Sequence, residues 1–413
     1  MKQDIRVVTE CRTCKSAKIK EFLSLGSTPL ANSLVAKSEL EKPEEVFPLN
    51  VVFCPKCGLV QLGHVVKPEK MFTNYLYLTS YSSTMVKHLG EFAKEVAKIS
   101  GYKNGLVVDI GSNDGTFLAS FKKIGFDVLG VEPAKNISKT TNEKGIRTEN
   151  VFFNIENSKN ILEKYGKARI ITGTNVFAHV DDLDGLVEGV KILLDDTGFF
   201  IIESPYLPDL LHKIEFDTIY HEHLSYLSLK PLVVFFKRHG MKVIDVKRTK
   251  IHGGSIRLYV KKKPEKTKPK KSIERLLLYE KKNGINSFKT FREFARKVVA
   301  LKKELISLLG KLKNDGKTIA GYGASAKGNT LLNYTGIGTE TIGFIVDKNP
   351  LKQGLYAPGS RIEIFSPEKL VLDRPDYVLL LAWNFKEEII KQQQEYASLG
   401  GNFITPVPWP KIL

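Results

Sequence analysis

The chain lacks the sequence features that mark several large classes of protein. No apolar stretch in its 413 residues approaches the length of a membrane span, and residues 1–10 contain no apolar core of a signal peptide. The glycine-rich phosphate loop that ends in Lys-Ser or Lys-Thr is absent, as is the His-Glu-x-x-His pair of zinc proteases. These absences predict a cytoplasmic protein without a membrane partner.

Cysteine is scarce, and its placement is informative. The four cysteines form two Cys-x-x-Cys pairs, Cys11 with Cys14 and Cys54 with Cys57. Paired knuckles of this kind in a cytosolic chain indicate a tetrahedral thiolate site for zinc, and four protein ligands leave no open position, so the metal should be structural. A redox-active pair is the alternative interpretation. The long separation between the pairs predicts a small domain inserted between the knuckles.

The net charge of +18 and the pI near 9.4 raise the question of nucleic-acid binding. The lysines are dispersed, except in residues 261–271, where two prolines indicate a solvated interdomain linker. No basic stripe interleaved with aromatic residues accompanies them. We therefore expect no nucleic-acid partner, and a general attraction to anionic substrates such as a diphosphate accounts for the charge.

An apolar segment at residues 107–110 runs into a glycine-rich turn with the pattern Asp109-x-Gly111-x-x-x-Gly115. A helix is predicted over 117–125 and a second strand over 127–131, which ends at Glu132. Glycines let a ligand approach the backbone, and an acid at the tip of the next strand can accept from ribose hydroxyls. Because no phosphate cradle is present, the pattern indicates S-adenosylmethionine, although a tight structural turn is the simpler alternative.

The next strand, predicted over 168–174, leads into a loop that holds Asn175 and His179. A helix near 183–194 and a strand over 198–203 follow, and this alternation predicts a parallel, doubly wound α/β sheet. The loop should open on the same edge as Gly111 and Glu132. His179 is either a satisfied loop histidine or a contact to cofactor or substrate.

Residues 218–226 place two imidazoles, a carboxylate and two phenols close together. Histidine titrates near neutrality, a carboxylate can orient it, and a phenol can donate to a developing oxyanion, so the segment indicates proton transfer. A satisfied polar turn or a metal cluster is the alternative, since His221 and His223 would point the same way on a strand. No third metal ligand follows at a familiar spacing.

The C-terminal third predicts a long helix and a second α/β unit. Apolar residues recur at helical spacing and form one buried face: Phe291, Phe294, Val298, Leu301, Leu305, Leu308 and Leu312. The pattern Gly321-x-Gly323-x-x-Ala326 then follows a strand over 318–322, and strands are expected over 342–346 and 376–381. An acid, Asp347, about twenty residues after the turn fits the dinucleotide fingerprint. Ser325 and Lys327 would suit the diphosphate of a sugar nucleotide equally well.

These motifs, in this order, resemble the S-adenosylmethionine-dependent sugar C-3 C-methyltransferases of deoxysugar biosynthesis, of the tetronitrose and mycarose type. The resemblance covers nearly the whole chain and also includes residues 25–32, 215–223, 252–257 and 321–330. It implies a zinc-binding domain at 1–70, a class I, Rossmann-like methyltransferase domain at 71–262, and a linker, long helix and Rossmann-like domain at 263–413. A monomer is expected, acting on a nucleotide-linked 4-keto-deoxysugar, usually dTDP-linked.

The resemblance also implies roles for individual residues. His223 is expected to be the base, with Tyr220 and Glu222 beside it and His179 binding substrate or stabilising the enolate. Contacts to S-adenosylmethionine are expected from Asp109, Gly111, Asn113, Asp114, Gly115, Glu132, Pro133 and Asn175. Contacts to the substrate are expected from Tyr77, Tyr81, His221, His252, Arg257, Ser325, Lys327 and Asn329.

Two other classes of function remain open from the sequence. A nicotinamide-dependent sugar-nucleotide oxidoreductase would use the C-terminal glycine loop, but it leaves the first glycine turn and residues 220–223 without a role. A non-catalytic or RNA-modifying protein would use the zinc and the positive charge, and it predicts salt-sensitive RNA binding.

Overall fold

A computed structural model describes residues 4–73, 75–262 and 268–413. Part of the predicted lysine-rich linker, residues 263–267, lies outside these ranges. None of the helices in the described ranges is both long and apolar enough to cross a membrane. The described chain forms three main sheets with helices packed between and around them.

Most of the regular secondary structure in the first part of the chain is strand. It contains β1 (Ile5–Val7), β2 (Lys20–Thr28), β3 (Phe47–Phe53), β4 (Val60–Leu62), β5 (His64–Val66) and helix α1 (Glu69–Phe72).

The central part alternates helices and strands. It contains α2 (Ser83–Ser100), β6 (Leu106–Ile110), α3 (Thr116–Lys123), β7 (Asp127–Val131), α4 (Lys135–Glu143), β8 (Thr148–Glu149), α5 (Ile155–Tyr165), β9 (Ala168–Thr174), α6 (Leu183–Leu193), β10 (Leu194–Pro205), α7 (Leu207–Lys213), β11 (Ser225–Tyr226), α8 (Leu229–Arg238), β12 (Lys242–Thr249) and β13 (Ser255–Lys261).

The last part begins with two helices and ends in a third sheet. It contains α9 (Lys271–Lys282), α10 (Phe288–Asn314), β14 (Ile319–Tyr322), α11 (Ala326–Thr335), β15 (Ile345–Val346), β16 (Ile364–Phe365), α12 (Lys369–Asp373), β17 (Tyr377–Leu380), α13 (Lys386–Gln392), α14 (Gln394–Ser398), β18 (Asn402–Thr405) and β19 (Lys411–Ile412). Short 3₁₀ helices lie at Lys37–Glu39, Thr79–Tyr81, Phe177–His179, Phe216–Thr218, Ile251–Gly253 and Trp383–Phe385.

The N-terminal sheet is antiparallel and has the strand order β11-β4-β3-β2. Its edge strand β11 comes from the central part of the chain, far from β4 in sequence, and pairs through Ser225 with Gln61 and through Tyr226 with Val60. The segment that holds the predicted base, His223, therefore runs directly into the N-terminal sheet.

The central sheet has seven strands in the order β12-β13-β10-β9-β6-β7-β8. The five strands from β10 to β8 are parallel, which confirms the predicted doubly wound α/β fold. Strand β13 differs from the prediction of a parallel sheet, because it runs antiparallel to both of its neighbours, β10 and β12. A short connection between β12 and β13 suffices for an antiparallel pair, whereas a parallel pair would need a long crossover.

The C-terminal sheet has the order β16-β15-β14-β17-β18-β19, and its first five strands are parallel. Strand β14 therefore lies at the point where the chain changes direction across the sheet, which is where such sheets bind ligands.

Helix α10 joins the N-terminal and C-terminal sheets. Its predicted apolar face is confirmed except at one position, because Leu309 is buried and Leu308 is only partly buried. The face packs on the N-terminal sheet, where the Phe291 ring lies 5.1 Å from Phe22 and 4.7 Å from Phe53, centroid to centroid. Buried residues of both sheets and of α10 form one continuous core.

Candidate active site

A cavity of about 730 Å³ lies between the carboxyl edges of the central and C-terminal sheets. Predicted site residues that line it are Asp109, Gly111, Asn113, Glu132, Pro133, Asn175, His179, Tyr220, His223, Tyr77, His252, Ser325 and Lys327. Seven others are not among the lining residues: Asp114, Gly115, Tyr81, His221, Glu222, Arg257 and Asn329. The structure thus brings most of the predicted residues from distant parts of the sequence to one cavity.

The first glycine turn forms one wall of this cavity. Gly111 has a φ of +65°, and a Cβ there would lie 2.4 Å from Cγ2 of Val176, so the turn requires glycine. Glu132 accepts hydrogen bonds from the backbone N–H groups of Asn113 and Ala134, each at 2.9 Å. Burial raises the pKa of the Glu132 carboxyl above its ordinary value. Both backbone donors hold the carboxylate at the tip of β7, beside the turn.

Two acidic residues of the same turn have structural partners. Asp109 is buried, accepts from the Thr172 hydroxyl at 2.6 Å, and has a pKa that burial raises to about 7. Asp114 accepts from the Ser80 backbone N–H at 2.8 Å and from the Thr116 hydroxyl at 2.6 Å. Asp114 therefore braces the turn from outside the cavity rather than lining it.

Residues 75–81, which we call the tyrosine strap, lie across the glycine turn. The Asn113 side chain accepts from the Thr79 backbone N–H at 2.9 Å and donates to the Tyr77 carbonyl at 3.0 Å. Tyr75 and Tyr77 line the cavity, whereas Tyr81 does not. The sequence left open which tyrosine matters and assigned no role to Tyr75, because its hydroxyl gains a partner, Glu222, only through the fold.

The residues around His223 form a turn rather than a strand. We call residues 218–224 the catalytic turn, after the predicted base that they contain. Nδ1 of His223 lies 2.7 Å from the Thr218 carbonyl, which can only accept, so Nδ1 carries the proton. Nε2 lies 2.8 Å from the Tyr220 hydroxyl and is left with its lone pair. Burial lowers the pKa of His223 well below its usual range, so the ring is a neutral base.

His221 points away from His223, contrary to the strand expectation. Its Nε2 lies 3.1 Å from the Phe47 carbonyl, in the N-terminal sheet. The two histidines therefore cannot share a metal. Among the described residues, the cluster with metal-ligand geometry is the set of four cysteines.

Glu222 lies behind the cavity wall and hydrogen-bonds to two side chains that line it. Its carboxyl oxygens accept from Asn32 Nδ2 at 2.5 Å and from the Tyr75 hydroxyl at 3.2 Å, and both of these partners line the cavity. Burial raises the pKa of Glu222 to about 7. Asn32 and Tyr75 were both missed as site residues, although Asn32 stands in one of the motifs that carry the resemblance.

His179 lies against the catalytic turn. Its ring centroid is 4.9 Å from that of His223 and 5.8 Å from that of Phe72. Burial lowers the pKa of His179 to about 4, so it is also neutral near pH 7. Asn175, at the start of the same loop, adopts a left-handed φ of 57° and donates its backbone N–H to the Glu203 carbonyl at 2.8 Å.

His252 and Arg257 differ in their placement. His252 lines the cavity in a left-handed conformation, with φ 52° and ψ 35°, and burial lowers its pKa to about 4. Arg257 lies behind the wall, where its guanidinium pairs with Glu203 at 2.7 Å and with Glu95 at 3.0 Å. Arg257 thus has no route to a ligand in this cavity, because both its charge and its donors are already engaged in the interior.

The second glycine loop forms the opposite wall. Gly323 has a φ of +96°, and a Cβ there would lie 2.7 Å from Cβ of Ala382 in the loop after β17. Ser325 caps α11 by accepting from the Gly328 N–H at 3.1 Å. Lys327 Nζ is buried, lies 4.7 Å from the Trp383 ring centroid, and has no hydrogen-bond partner among the described residues.

Asn329 and Asp347 have structural roles in the same loop region. Asn329 donates to the Ala31 carbonyl at 2.7 Å, which joins α11 to the N-terminal part of the chain. The Asp347 oxygens accept from the backbone N–H groups of Ala324 and Asn349, each at 2.8 Å. Lys352, 3.7 Å from Asp347, donates to the Ala324 carbonyl at 2.6 Å. The acid at the dinucleotide-fingerprint position thus accepts from its own loop region, and unlike Glu132 it is not among the residues that line the cavity.

The four cysteines meet the geometric requirement for a metal site. Their sulfur atoms all lie within 4.8 Å of one another, and the cluster is mostly buried. Four thiolates about 2.3 Å from a tetrahedral zinc ion fit such a spacing. The donor set therefore fits zinc and leaves no ligand position for substrate.

Three family models match the chain. A C-methyltransferase C-terminal domain matches residues 250–408, a zinc binding domain matches residues 11–72, and a methyltransferase domain matches residues 85–246. The second match confirms the predicted zinc site. The predicted domain limits at residues 70 and 262 stay a prediction.

Comparison with known proteins gives a relative along the whole chain. NovU of Streptomyces niveus, a C-methyltransferase, is 39% identical over 414 residues, which cover 100% of this chain and 99% of NovU. The magnesium protoporphyrin IX methyltransferase of Synechocystis PCC 6803 with bound SAM is 12% identical over 42% of this chain and 78% of its own, with a TM-score of 0.32. An S-adenosylmethionine-dependent methyltransferase of Clostridium acetobutylicum ATCC 824 is 14% identical over 43% and 92%, with a TM-score of 0.34.

The cysteine cluster predicts one zinc ion per chain. Replacing Cys54 with Ser removes one thiolate and should lower both the zinc content and the thermal stability, because the metal closes the long loop between the knuckles. Elemental analysis and thermal unfolding measure the two effects. Lys18→Ser, at an exposed position of the same region, is the control, and full zinc content with unchanged stability in Cys54→Ser would contradict the assignment.

Glu222→Gln should change the pH dependence of stability. Burial raises the pKa of Glu222 from an ordinary value of 4.5 to about 7, so the wild type loses stability as pH rises through this range, whereas an amide does not titrate. The variant should therefore gain up to about 3 kcal/mol over the wild type between about pH 5 and pH 8. Urea unfolding across this range measures the difference.

The control for this experiment is Glu163→Gln, which removes a negative charge from the exposed side of α5. A stability difference between Glu222→Gln and wild type that stays constant from acid to alkaline pH would contradict the raised pKa.

Proposed function

This chain belongs to the family of S-adenosylmethionine-dependent C-methyltransferases, and on that premise we propose that it methylates C-3 of a nucleotide-linked 4-keto-deoxysugar, with dTDP as the expected nucleotide. Family membership confirms S-adenosylmethionine as the cofactor, which the first glycine turn and Glu132 had indicated. It also decides against the nicotinamide-dependent alternative.

The observation that carries the proposal is that two sheet edges of the kind that binds ligands, one from the central sheet and one from the C-terminal sheet, face each other across one cavity. The edge of the central sheet presents Gly111 and Glu132, and the edge of the C-terminal sheet presents Ser325 and Lys327. The catalytic turn lines the same space. A methyl donor on the first edge and a nucleotide sugar on the second would meet beside His223, as a transfer between two bound molecules requires.

The residues present fit the requirements of the cofactor. The turn at Gly111 leaves space for a close approach, and the Glu132 carboxylate can accept from the two ribose hydroxyls. We propose that Asp109, Asn113, Pro133 and Asn175 complete this side of the site. Bound S-adenosylmethionine supplies an electrophilic methyl group on a positively charged sulfur.

The nucleotide diphosphate is assigned to the opposite edge. Lys327 has a buried ammonium group without a hydrogen-bond partner among the described residues, and it stands in the first turn of the ten-residue helix α11. A helix N-terminus and an ammonium group together favour a phosphate. Lys352, which also lines the cavity, adds positive charge on this side.

His223 is proposed as the base. Its Nε2 takes the C-3 proton, and the electron pair of the broken C–H bond moves towards the 4-keto oxygen as an enolate. The enolate carbon would then take the methyl group of a bound S-adenosylmethionine, and the electron pair of the broken S–CH3 bond would remain on the departing sulfur. Tyr220, whose pKa burial raises well above its ordinary value, stays protonated. Its hydroxyl can turn from Nε2 to the enolate oxygen and stabilise the developing charge. Neutral His179 completes the substrate pocket.

The test of the proposed substrate is incubation with a panel of 4-keto nucleotide sugars and analysis of the products by mass spectrometry. We expect a gain of one methyl group, located at C-3. Methylation at another carbon, or at an oxygen or nitrogen, would overturn the proposal while leaving the family unchanged.

Glu132→Ala should weaken the binding of S-adenosylmethionine. The substitution removes a charge-assisted acceptor worth roughly 1.5 to 3 kcal/mol, which corresponds to a rise in Kd of about tenfold to a hundredfold. Calorimetry measures the Kd, and circular dichroism confirms the fold. Glu149→Ala, at the end of the neighbouring strand β8, is the control, and unchanged affinity in Glu132→Ala would move the cofactor site elsewhere.

His223→Ala should reduce turnover by roughly a hundredfold to ten-thousandfold, the range typical of a positioned base, while cofactor binding persists. Tyr220→Phe should have a smaller effect, because Tyr220 only stabilises the enolate in this mechanism. Kinetics of His179→Ala and His221→Ala, with exposed His212→Ala as a control, complete the set. Near-normal activity of His223→Ala beside an inactive His179→Ala or His221→Ala would show that the base is misassigned.

A further inference from the structure

We propose that Arg12, which stands inside the first cysteine knuckle, is a positioning residue that fixes the catalytic turn and the His179 loop relative to each other. The inference rests on the proposed function only for the identity of the reaction; the placement of Arg12 stands on its own contacts.

The Arg12 side chain is buried, with 4% of its surface exposed, and its donors reach three separate segments. Nη1 donates to the carbonyl of Leu62 in β4 at 3.3 Å and to the carbonyl of Leu224 at 3.2 Å. Nε donates to Asp181 at 3.1 Å. A buried guanidinium needs such partners, because an unpaired charge in the interior is costly.

Two of these acceptors adjoin the proposed catalytic groups. Leu224 directly follows His223, and Asp181 stands two residues after His179. Both Leu224 and Asp181 also line the cavity. The guanidinium is planar and rigid, so its hydrogen bonds to Leu224 and Asp181 hold the segments of His223 and His179 at a fixed separation.

The surrounding contacts make Arg12 a fixed support. Its backbone N–H donates to Gln61 Oε1 at 2.9 Å, and the knuckle around it is closed by the N–H of Lys15, which donates to the Cys11 carbonyl at 2.9 Å. The Leu224 carbonyl also accepts from the Leu62 N–H at 3.0 Å. The Arg12 side chain and the pairing of β4 with β11 thus connect the metal site with the catalytic turn.

Arg6 provides a matched comparison. It also pairs with Asp181, but its side chain is 58% exposed, and within the described ranges it hydrogen-bonds to Asp181 alone. Arg6→Met therefore removes the same charge and one donor to the shared acceptor Asp181 without touching Leu224. A loss of activity in the Arg12 variants that Arg6→Met does not show would come from the lost hydrogen bonds of the Arg12 guanidinium and not from the loss of a positive charge.

The kinetic experiment compares Arg12→Ala, Arg12→Lys and Arg6→Met in the full chain. We expect both Arg12 variants to lose about tenfold to a hundredfold in kcat, as partners that orient a reacting group do, with the Kd for S-adenosylmethionine and the zinc content unchanged. Added guanidinium ion should restore part of the kcat of Arg12→Ala, and Arg6→Met should stay near wild type.

A second readout needs no substrate. In enzyme labelled with ¹⁵N-histidine, wild type should show His223 with Nδ1 protonated and Nε2 free of a proton, assigned by comparison with His223→Gln. This pattern should be lost or averaged in Arg12→Ala and kept in Arg6→Met. The measurement stays valid if no sugar in the panel is methylated, so failure of the proposed function and failure of this inference can be told apart.

Two outcomes would overturn the inference. One is an Arg12→Lys enzyme with wild-type kcat and an unchanged histidine spectrum. The other is a loss of activity that tracks loss of zinc and of cofactor binding in both Arg12 variants, which would make Arg12 a residue of general stability alone.

Discussion

The pairing of β11 with β4 is the constraint on which the active site depends. Two residues, Ser225 and Tyr226, place the end of a central segment at the edge of the N-terminal sheet. The catalytic turn has no regular structure of its own, so its conformation is set at one end by this pairing and at the other by the short helix Phe216–Thr218, which packs against α11. The proposed base, His223, thus lies where all three parts of the chain meet.

Burial then sets the protonation of the cavity wall. Removal from water raises the pKa of carboxyls such as Glu222 and lowers the pKa of imidazoles such as His223 and His179, so both kinds of group move towards their neutral forms. A neutral imidazole can accept a proton, and the Lys327 ammonium in the wall of the same cavity supplies positive charge for an anionic ligand. The same desolvation that costs stability therefore suits the site to the proposed proton abstraction.

Local patterns were sufficient to predict the parts of the site that depend on local structure. The strands Asp127–Val131 and Ala168–Thr174, the glycine turn and the cysteine knuckles all follow from short-range rules of strand burial, backbone freedom and ligand spacing. The orientation of His221 and the interior position of Arg257 could not be predicted this way. Both depend on partners distant in sequence, Phe47 for the first and Glu95 for the second. Tyr75 and Arg12 were missed for the same reason.

The C-terminal sheet shows how a dinucleotide-type loop can serve another ligand. Its strand order and glycine turn are those of a nucleotide-binding half, yet Asp347 accepts from the backbone N–H groups of Ala324 and Asn349 in its own loop region. Asp347 is also not among the residues that line the cavity. What remains exposed to a ligand is the start of α11 with Lys327, and this arrangement favours a phosphate-bearing molecule held opposite the cofactor. In the proposed reaction, two sheets of similar design therefore share the substrates, with the methyl donor on one edge and its acceptor on the other.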